Sequence, residues 1–364
     1  MSRSYNNGAT WSGWEQYTRT AFAMLEHDLG DGWVTKLQLD HKINRYNAEL
    51  GSIQFDEPQT DGTAKVNAQK YTGDTTSDSA DLYLSGPFNL FGREHELVLG
   101  GRVVNYHLTG LTPSYKESGR FVPYVGAVYD LDDHFSVYAS YTDIFMPQES
   151  WNKDSKLLNP DEGQNYELGL KGEFFEGRLN SSLAYFEVHE TNRSVPDDAY
   201  NNQSPIPDNC AFKGAKAVTK GYELEISGEL SPGWQVQAGY THKIVRDDEG
   251  DKISTFEPQD QVNLYTSYKL KGELDKLTVG GGLRWQSEGW YSVYNAPRKI
   301  NEDISQEAYW LVDLMTRYQI TQNLSATLNV NNIFDKSYYT NVGFYNSAAY
   351  GEPRNFMLSP RWDF

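Results

Sequence analysis

The sequence predicts an all-β chain, a transmembrane antiparallel β-barrel of the outer-membrane kind, on three observations. Apolar and polar residues alternate with period two in several stretches of about ten residues, the length a tilted strand needs to cross a bilayer. The connections between those stretches are short and long by turns, as they are where tight turns face one side of a membrane and long loops the other. The last stretch, 355–364, sets Phe356, Leu358, Pro360, Trp362 and Phe364 on one parity. Asn355, Ser359, Arg361 and Asp363 take the other, with Met357 the exception. A greasy, aromatic-ended face of this kind suits lipid; the competing reading is the last strand of a soluble sandwich.

Composition narrows the class. The 364 residues are 38% hydrophobic and include 26 Tyr, 16 Phe and 9 Trp, richer in rings and poorer in aliphatics than a soluble domain of this size. No apolar run reaches the roughly 18 residues of a membrane helix, which leaves a barrel open because lumen faces keep hydropathy low. A net charge of −18 argues against nucleic acid or anionic lipid as a partner. The single cysteine, Cys210, excludes an internal disulfide framework and a thiolate cluster. No basic-then-apolar leader follows Met1, so the chain is expected to be part of a longer exported protein.

Along the chain, strands are expected near 16–28, 95–107, 120–130 and 179–190, where alternation is poor and the facing is loosely defined. It is clean in 165–171, 234–243, 261–270 and 323–331. In 261–270, for example, Val262, Leu264, Thr266, Tyr268 and Leu270 oppose Gln261, Asn263, Tyr265, Ser267 and Lys269. Tight turns are legible at 29–33, 131–134, 230–234 and 321–323, and slightly longer ones near Gly86-Pro87, 175–178 and 271–273, where Gly, Pro, Asn and Asp supply positive or preset φ. Long polar loops are expected at 47–72, 146–162, 191–217, 245–258, 286–308 and 334–354. Trp33, Trp234 and Tyr166 fall where an interfacial aromatic girdle would lie. The count comes to about fifteen strands, odd where a closed single-chain barrel needs an even number. The expectation is therefore a fragment that lacks the first part of its wall.

Catalytic patterns are sparse. The seven histidines have no metal-ligand spacing, and a nucleophile elbow, P-loop and dinucleotide fingerprint are missing. Carboxylate groups such as Asp132-Asp133, Asp197-Asp198 and Asp247-Asp248-Glu249 fit solvated turns, with calcium or lipopolysaccharide-bridging cations as the minor alternative. By parity Lys171 with Glu223 and Glu225, and Arg284 with Asp313, face the lumen and are expected to pair there.

Four segments carry a resemblance. The run 329–339, Asn-Val-Asn-Asn-Ile-Phe-Asp-Lys-Ser-Tyr-Tyr, resembles the penultimate-strand signature of TonB-dependent receptors, and 350–356 followed by the aromatic terminus is similar to their last strand. Upstream, 138–148 with 159–172, and Lys220-Gly221-Tyr222-Glu223-Leu224-Glu225-Ile226, resemble the siderophore branch, particularly ferripyoverdine and ferric-coprogen or hydroxamate receptors. The matches run in family order from about residue 120; the earlier part fits by rhythm alone. The resemblance implies a barrel of about 22 strands closed by a plug. Residues 1–364 would be roughly its last fifteen strands, without the plug, the TonB-contacting box or the first seven strands. It further implies a ferric siderophore as transported ligand, no covalent cofactor, energy from a TonB-ExbB-ExbD complex through the missing plug, and a Gram-negative outer membrane with its lipid and lipopolysaccharide as neighbours.

Such a ligand arrives with its iron already coordinated, so flat aromatic walls and a few donors suffice to bind it. The candidates are loop aromatics: Trp290, Tyr291 and Tyr294 beside Trp285; Tyr345 among Tyr338, Tyr339, Phe344 and Tyr350; and the isolated Trp151 and Tyr200. Upper-girdle anchoring in lipid is the competing role, strongest for Trp285 and Tyr338 at strand ends. Other cargo (cobalamin, haem or a glycan), a passive porin and a soluble carbohydrate-binding module are the rival functions. Cys210, in the 191–217 loop, is expected to be a free thiol or to pair outside this chain.

Overall fold

The computed structural model describes residues 9–54, 65–110, 114–201, 210–295, 300–342 and 348–363. Its strands are β1 (Gly13–Gly30), β2 (Trp33–Gln54), β3 (Lys65–Leu90), β4 (Arg93–Thr109), β5 (Tyr115–Asp130) and β6 (Phe135–Met146). Then come β7 (Asp161–Phe174), β8 (Leu179–Pro196), a helical turn α1 (Asp198–Asn201), β9 (Phe212–Ser231), β10 (Trp234–Asp247), β11 (Asp260–Lys269) and β12 (Leu277–Gln286). A loop hairpin, β13 (Gly289–Asn295) with β14 (Ile300–Gln306), precedes β15 (Tyr309–Gln319) and β16 (Leu324–Asn331). A second hairpin, β17 (Tyr339–Val342) with β18 (Ala348–Tyr350), precedes β19 (Asn355–Trp362). Fifteen strands, all but the two hairpins, share one sheet in chain order. By contacts the chain divides into two compact units, one of residues 1–127, 140–164 and 190–215, the other of 128–139, 165–189 and 216–364.

In the second unit the register shows why alternation was clean. Tyr240, Val262, Trp285 and Trp310 lie opposite one another across β10, β11, β12 and β15, and below them Ala238, Leu264, Leu283 and Val312 form the next row. The stripe continues through Leu328 opposite both Thr316 and Leu358, and Val330 opposite Phe356. Rings border it on both sides. Trp285 and Trp310 have centroids 5.6 Å apart and Tyr222 and Tyr240 5.8 Å at the loop end. At the tight-turn end Trp234 meets Tyr268 edge-on at 6.5 Å. Six to eight residues of strand separate the borders, roughly 20–27 Å along the strand, of the order of an apolar band of about 25 Å.

The first unit follows the same rule with a noisier sequence. On β1 to β4 the register brings Gln38, Asp40, Ser79, Asp81 and Arg102 to one face. There the Arg102 guanidinium donates to Ser79 Oγ at 2.8 Å and the Tyr124 hydroxyl to Asp81 at 2.7 Å. Leu37, Leu39, Ala80, Leu82 and Val103 take the opposite face. Alternation was poor in β1 because Phe22 and Met24 sit on the wet parity, opposite Asp40 and Gln38.

A sandwich core is absent among the described residues. Nine hydrophobic residues are buried, while Leu328, Phe356, Leu358, Trp310 and many others are exposed. Stability here comes from the ladder and from the surrounding lipid.

Two expectations fail. No turn forms at Gly86-Pro87: β3 runs through both, with Pro87 opposite Glu96, and the turn falls at Phe91 and Gly92 (φ +53° and +79°). Gly86 is there because the Trp33 indole lies on it, only 2.3 Å from where a Cβ would stand. Pro87 is tolerated because β2 has already ended on that flank, leaving no partner for the missing N–H. Nor are 47–54 and 65–72 loop; they extend β2 and β3, with Gln54 opposite Lys65. Above the bilayer both faces are wet, so period two vanishes while pairing continues. Phe364 lies outside the described residues.

Replacing Leu328 by Arg on the lipid face should cost about 2–4 kcal/mol, whereas Asn329→Arg on the wet face should cost well under half of that. Reversible denaturant unfolding in lipid vesicles checks the difference.

Candidate functional site

At the loop end of the second unit, three connections are fastened to one another. The 248–259 segment begins with a turn in which Asp247 Oδ1 accepts the amides of Glu249 and Asp251 at 3.1 and 2.8 Å, with Gly250 at φ +91°. It then meets β13 through a reciprocal pair: Thr255 Oγ1 donates to the Trp290 carbonyl at 2.7 Å, and the Trp290 amide to the Thr255 carbonyl at 3.0 Å. Ser287 Oγ accepts the amides of Gln259 and Asp260 at 3.0 and 3.2 Å. These bonds enclose a pocket of about 250 Å³ with Trp290, Thr255, Val245, Ile253, Lys252 and Glu288 on its walls. Lys243 and Gln259, also in its lining, carry the wet parity of β10 and β11 beyond the Thr241–Gln261 pair. The pocket therefore opens on the wet side.

The second fastening is Gln306, only 7% exposed. Its Oε1 accepts the Tyr339 amide at 2.7 Å and its Nε2 donates to the Glu307 carbonyl at 2.7 Å. Tyr309 and Tyr338 meet at 4.8 Å with their planes tilted by 32°, and the Tyr338 ring covers Gly351, where a Cβ would stand 2.0 Å away. Tyr339 and Tyr350 also meet at 4.8 Å, tilted by 36°. Asn332 (φ +49°) anchors the start of this connection, its amide donating to Asp313 Oδ1 at 2.8 Å and its Nδ2 to the Lys336 and Glu352 carbonyls at 2.9 and 3.1 Å. Asp335 Oδ1 accepts the Arg354 amide at 3.0 Å. The Asn-Asn-Ile-Phe-Asp run is thus a folding device, a left-handed kink whose amide side chains satisfy the backbone around it.

In the first unit the 147–160 loop is tied to the ends of β8 and β9. Gln148 donates to the Asn192 carbonyl at 2.7 Å, Ser194 to Ser150 Oγ at 2.7 Å, and the Phe212 amide to the Trp151 carbonyl at 2.8 Å. At the loop end of β7, outside the apolar span, Asp161 is 7% exposed beside the Arg193–Glu190 ion pair (3.0 Å). Burial, reinforced by the Glu190 charge and partly offset by Arg193, pushes its carboxyl up to about 6. Burial alone pushes Glu149, in the loop, up as well.

The sequence candidates land unevenly. Trp290 walls the pocket; Tyr291, the next residue on β13, points to the other side of that strand and remains exposed. Tyr294 lies on β13 opposite Asn301, and Tyr345 and Phe344 lie outside the described residues. Trp151 bridges Leu157, and Tyr200 lies within α1, its amide donating to Asp197; both are half-buried in the first unit. Trp285 stands with Trp310 on the apolar face, the girdle position. Arg284 and Asp313 pair at 3.0 Å as expected. Lys171 instead sits over the Tyr138 ring at 4.8 Å, while Tyr138 bonds Glu167, so the expected Lys171 pairing with Glu223 and Glu225 is replaced by a cation–π contact. Cys210 is an exposed free thiol. Ser287, Thr255, Gln306, Lys252 and Glu288 were not singled out, because small polar loop residues carry no period.

Gln306→Ala leaves the Tyr339 amide without its acceptor. Its hydrogen exchange should accelerate at least tenfold, for a local loss of about 1–3 kcal/mol, with strand amides of β15 and β16 unchanged. For Asp161 the folded state favours the neutral acid, so its contribution is unfavourable above pH 6 and relieved as pH falls below that. Asp161→Asn should therefore stabilise by about 2 kcal/mol at pH 8 and by nothing measurable near pH 4, read from unfolding midpoints at the two pH values.

The profile described as "TonB dependent receptor-like, beta-barrel" matches residues 2–333. The Ferripyoverdine receptor of Pseudomonas aeruginosa is 58% identical, covering 100% of this chain and 54% of that protein. The Ferric-pyoverdine BN7/BN8 receptor of Pseudomonas putida is 33% identical, covering 100% and 53%. Among solved structures, the ferripyoverdine receptor of the outer membrane of Pseudomonas aeruginosa bound to ferripyoverdine superposes with a TM-score of 0.84 at 57% identity, over 100% of this chain and 58% of that one. The chain spans about half the length of the curated relatives it matches. With its strand order, its two-faced register and this identity, the chain belongs to the TonB-dependent receptor-like β-barrel family of the Gram-negative outer membrane.

Proposed function

We propose that this chain is wall and outer-loop material of a receptor that imports a ferric siderophore of the ferripyoverdine kind. The observation that carries this reading is the 58% identity to a ferripyoverdine receptor over the whole chain. The geometry agrees with it. A pocket on the wet side of the wall, bounded by an indole and by backbone-clamping hydroxyls, can hold part of a compact chelate whose metal needs no protein ligand. The iron is cargo here, and the chain's work is recognition rather than bond-making chemistry. Residues 1–364 are read as barrel, completed by strands and a plug carried elsewhere in the receptor, and the TonB-ExbB-ExbD complex supplies energy through that plug. Two exposed edges in hydrocarbon would leave a row of unpaired amides and carbonyls, a heavy cost that a completed wall removes.

Trp290 and Tyr291 are the residues assigned to cargo contact, with Trp151, Tyr200, Tyr294 and Tyr345 as further candidates. In the complete receptor, Trp290→Ala with Tyr291→Ala should weaken ferripyoverdine binding at least several-fold, a loss of about 1–2 kcal/mol from the two rings. Fluorescence quenching of the purified receptor measures it. Unchanged affinity would remove both residues from the site. An unsubstituted receptor that ignores ferripyoverdine but takes cobalamin or haem would reassign the cargo.

A further inference from the structure

We propose that the pocket beside Trp290 is a subsite for one dipolar arm of the cargo, an amino-acid-like group carrying an ammonium and a carboxylate. The inference rests on the siderophore reading above and adds the chemistry of the part that docks here.

Size favours an arm over the whole chelate. At about 250 Å³ the cavity is smaller than the roughly 300–1,000 Å³ that drug-sized ligands occupy, so it suits one arm of the cargo. Charge then selects the arm. Five ionisable side chains line the pocket, Lys243, Lys252, Glu257, Asp260 and Glu288. Three are satisfied: Lys243 pairs with Glu257, and Asp260 Oδ1 takes His242 and the Tyr240 hydroxyl at 2.7 Å each. Lys252 and Glu288 have no ion pair or side-chain hydrogen bond among the described residues, although they carry opposite charges on the walls of one cavity.

Their backbones are held by separate contacts. Lys252 sits in a bridge opposite Arg246, and the next amide, Ile253, donates to the Val245 carbonyl at 3.0 Å. Glu288 lies between Ser287, locked by two amides, and buried Gly289, whose absent Cβ would stand 2.4 Å from the Phe256 carbonyl oxygen. Two opposite charges displayed on one cavity suit a ligand with the inverted order: carboxylate toward Lys252, ammonium toward Glu288. A simple anion or cation would gain from one and be repelled by the other. The Trp290 ring and Ile253 supply apolar wall for the carbons between.

The test is equilibrium binding of ferripyoverdine to the complete receptor and to its Lys252→Gln, Glu288→Gln and Lys252→Arg variants, at low and high salt. Each neutral variant should bind about threefold to tenfold more weakly at low salt and lose most of the salt dependence of the unsubstituted receptor; Lys252→Arg should retain affinity within about twofold. Both positions are exposed, and unheated gel mobility confirms that each variant is folded. Unchanged affinity in both neutral variants, with normal binding by the unsubstituted receptor, would overturn the subsite alone. A loss in only one of the two would also overturn it, leaving a single-charge contact. Failure of the unsubstituted receptor to bind ferripyoverdine would remove the siderophore reading and the subsite with it.

Discussion

Backbone hydrogen bonding in a medium without water is the constraint from which the other features follow. An amide or carbonyl left unpaired in hydrocarbon costs several kcal/mol, so pairing must continue without a break across the membrane and every turn at the short end must be tight. The ladder between β1 and β2 runs from Gly13 opposite Glu49 to Gly30 opposite Trp33, with its one irregularity at the turn. The tight turns carry the strain that shortness imposes: Asp31 and Gly32, Phe91 and Gly92, and Phe175, Glu176 and Gly177 all have positive φ. Once the backbone is satisfied in this way, side chains are released from building a core. One face dissolves in lipid and the other holds polar networks such as Arg102 with Ser79 and Tyr124 with Asp81.

That division explains which parts of the fold were legible in the sequence. Period two is visible only where one face meets lipid and the other meets water. Strands expected at 234–243, 261–270 and 323–331 therefore appear as Trp234–Asp247, Asp260–Lys269 and Leu324–Asn331. Beyond the apolar band both faces are wet, and the extensions of β2 and β3 read as loop although their register is regular through Gln54 and Lys65. The misplaced turn at Gly86-Pro87 has a different origin. Glycine there serves the approach of Trp33 rather than a turn, and a proline in a ladder is acceptable where a neighbouring strand has stopped.

Of the candidate rings only Trp290 lines the pocket, and the fasteners around it were illegible in the sequence. Aromatic density in a polar stretch pointed to Trp290, because an exposed indole needs a reason that solvated loops do not provide. The Asn332 kink was visible as part of a motif, and its hydrogen bonds to Lys336 and Glu352 give that motif its physical content. Ser287, Thr255 and Gln306 act through one or two bonds, each reaching main-chain groups far away in sequence, 28, 35 and 33 residues off. Nothing in composition or spacing marks a serine or glutamine as the one whose partner lies in another loop.

The separation of fasteners from rings has a consequence for specificity. The main side-chain clamps at the mouth join a polar side chain to a backbone amide or carbonyl: Ser287 to Gln259 and Asp260, Thr255 to Trp290, Gln306 to Tyr339, Asn332 to Lys336. Main-chain groups are the same whatever side chain they carry, so the clamps hold regardless of what the loop presents. The exposed positions, Trp290, Tyr291, Lys252 and Glu288, are then free to differ between receptors at little cost to the loop fold. Geometry resides in the clamps and chemistry in the residues they display, so recognition can change through a few rim side chains while the membrane-spanning ladder beneath stays as it is.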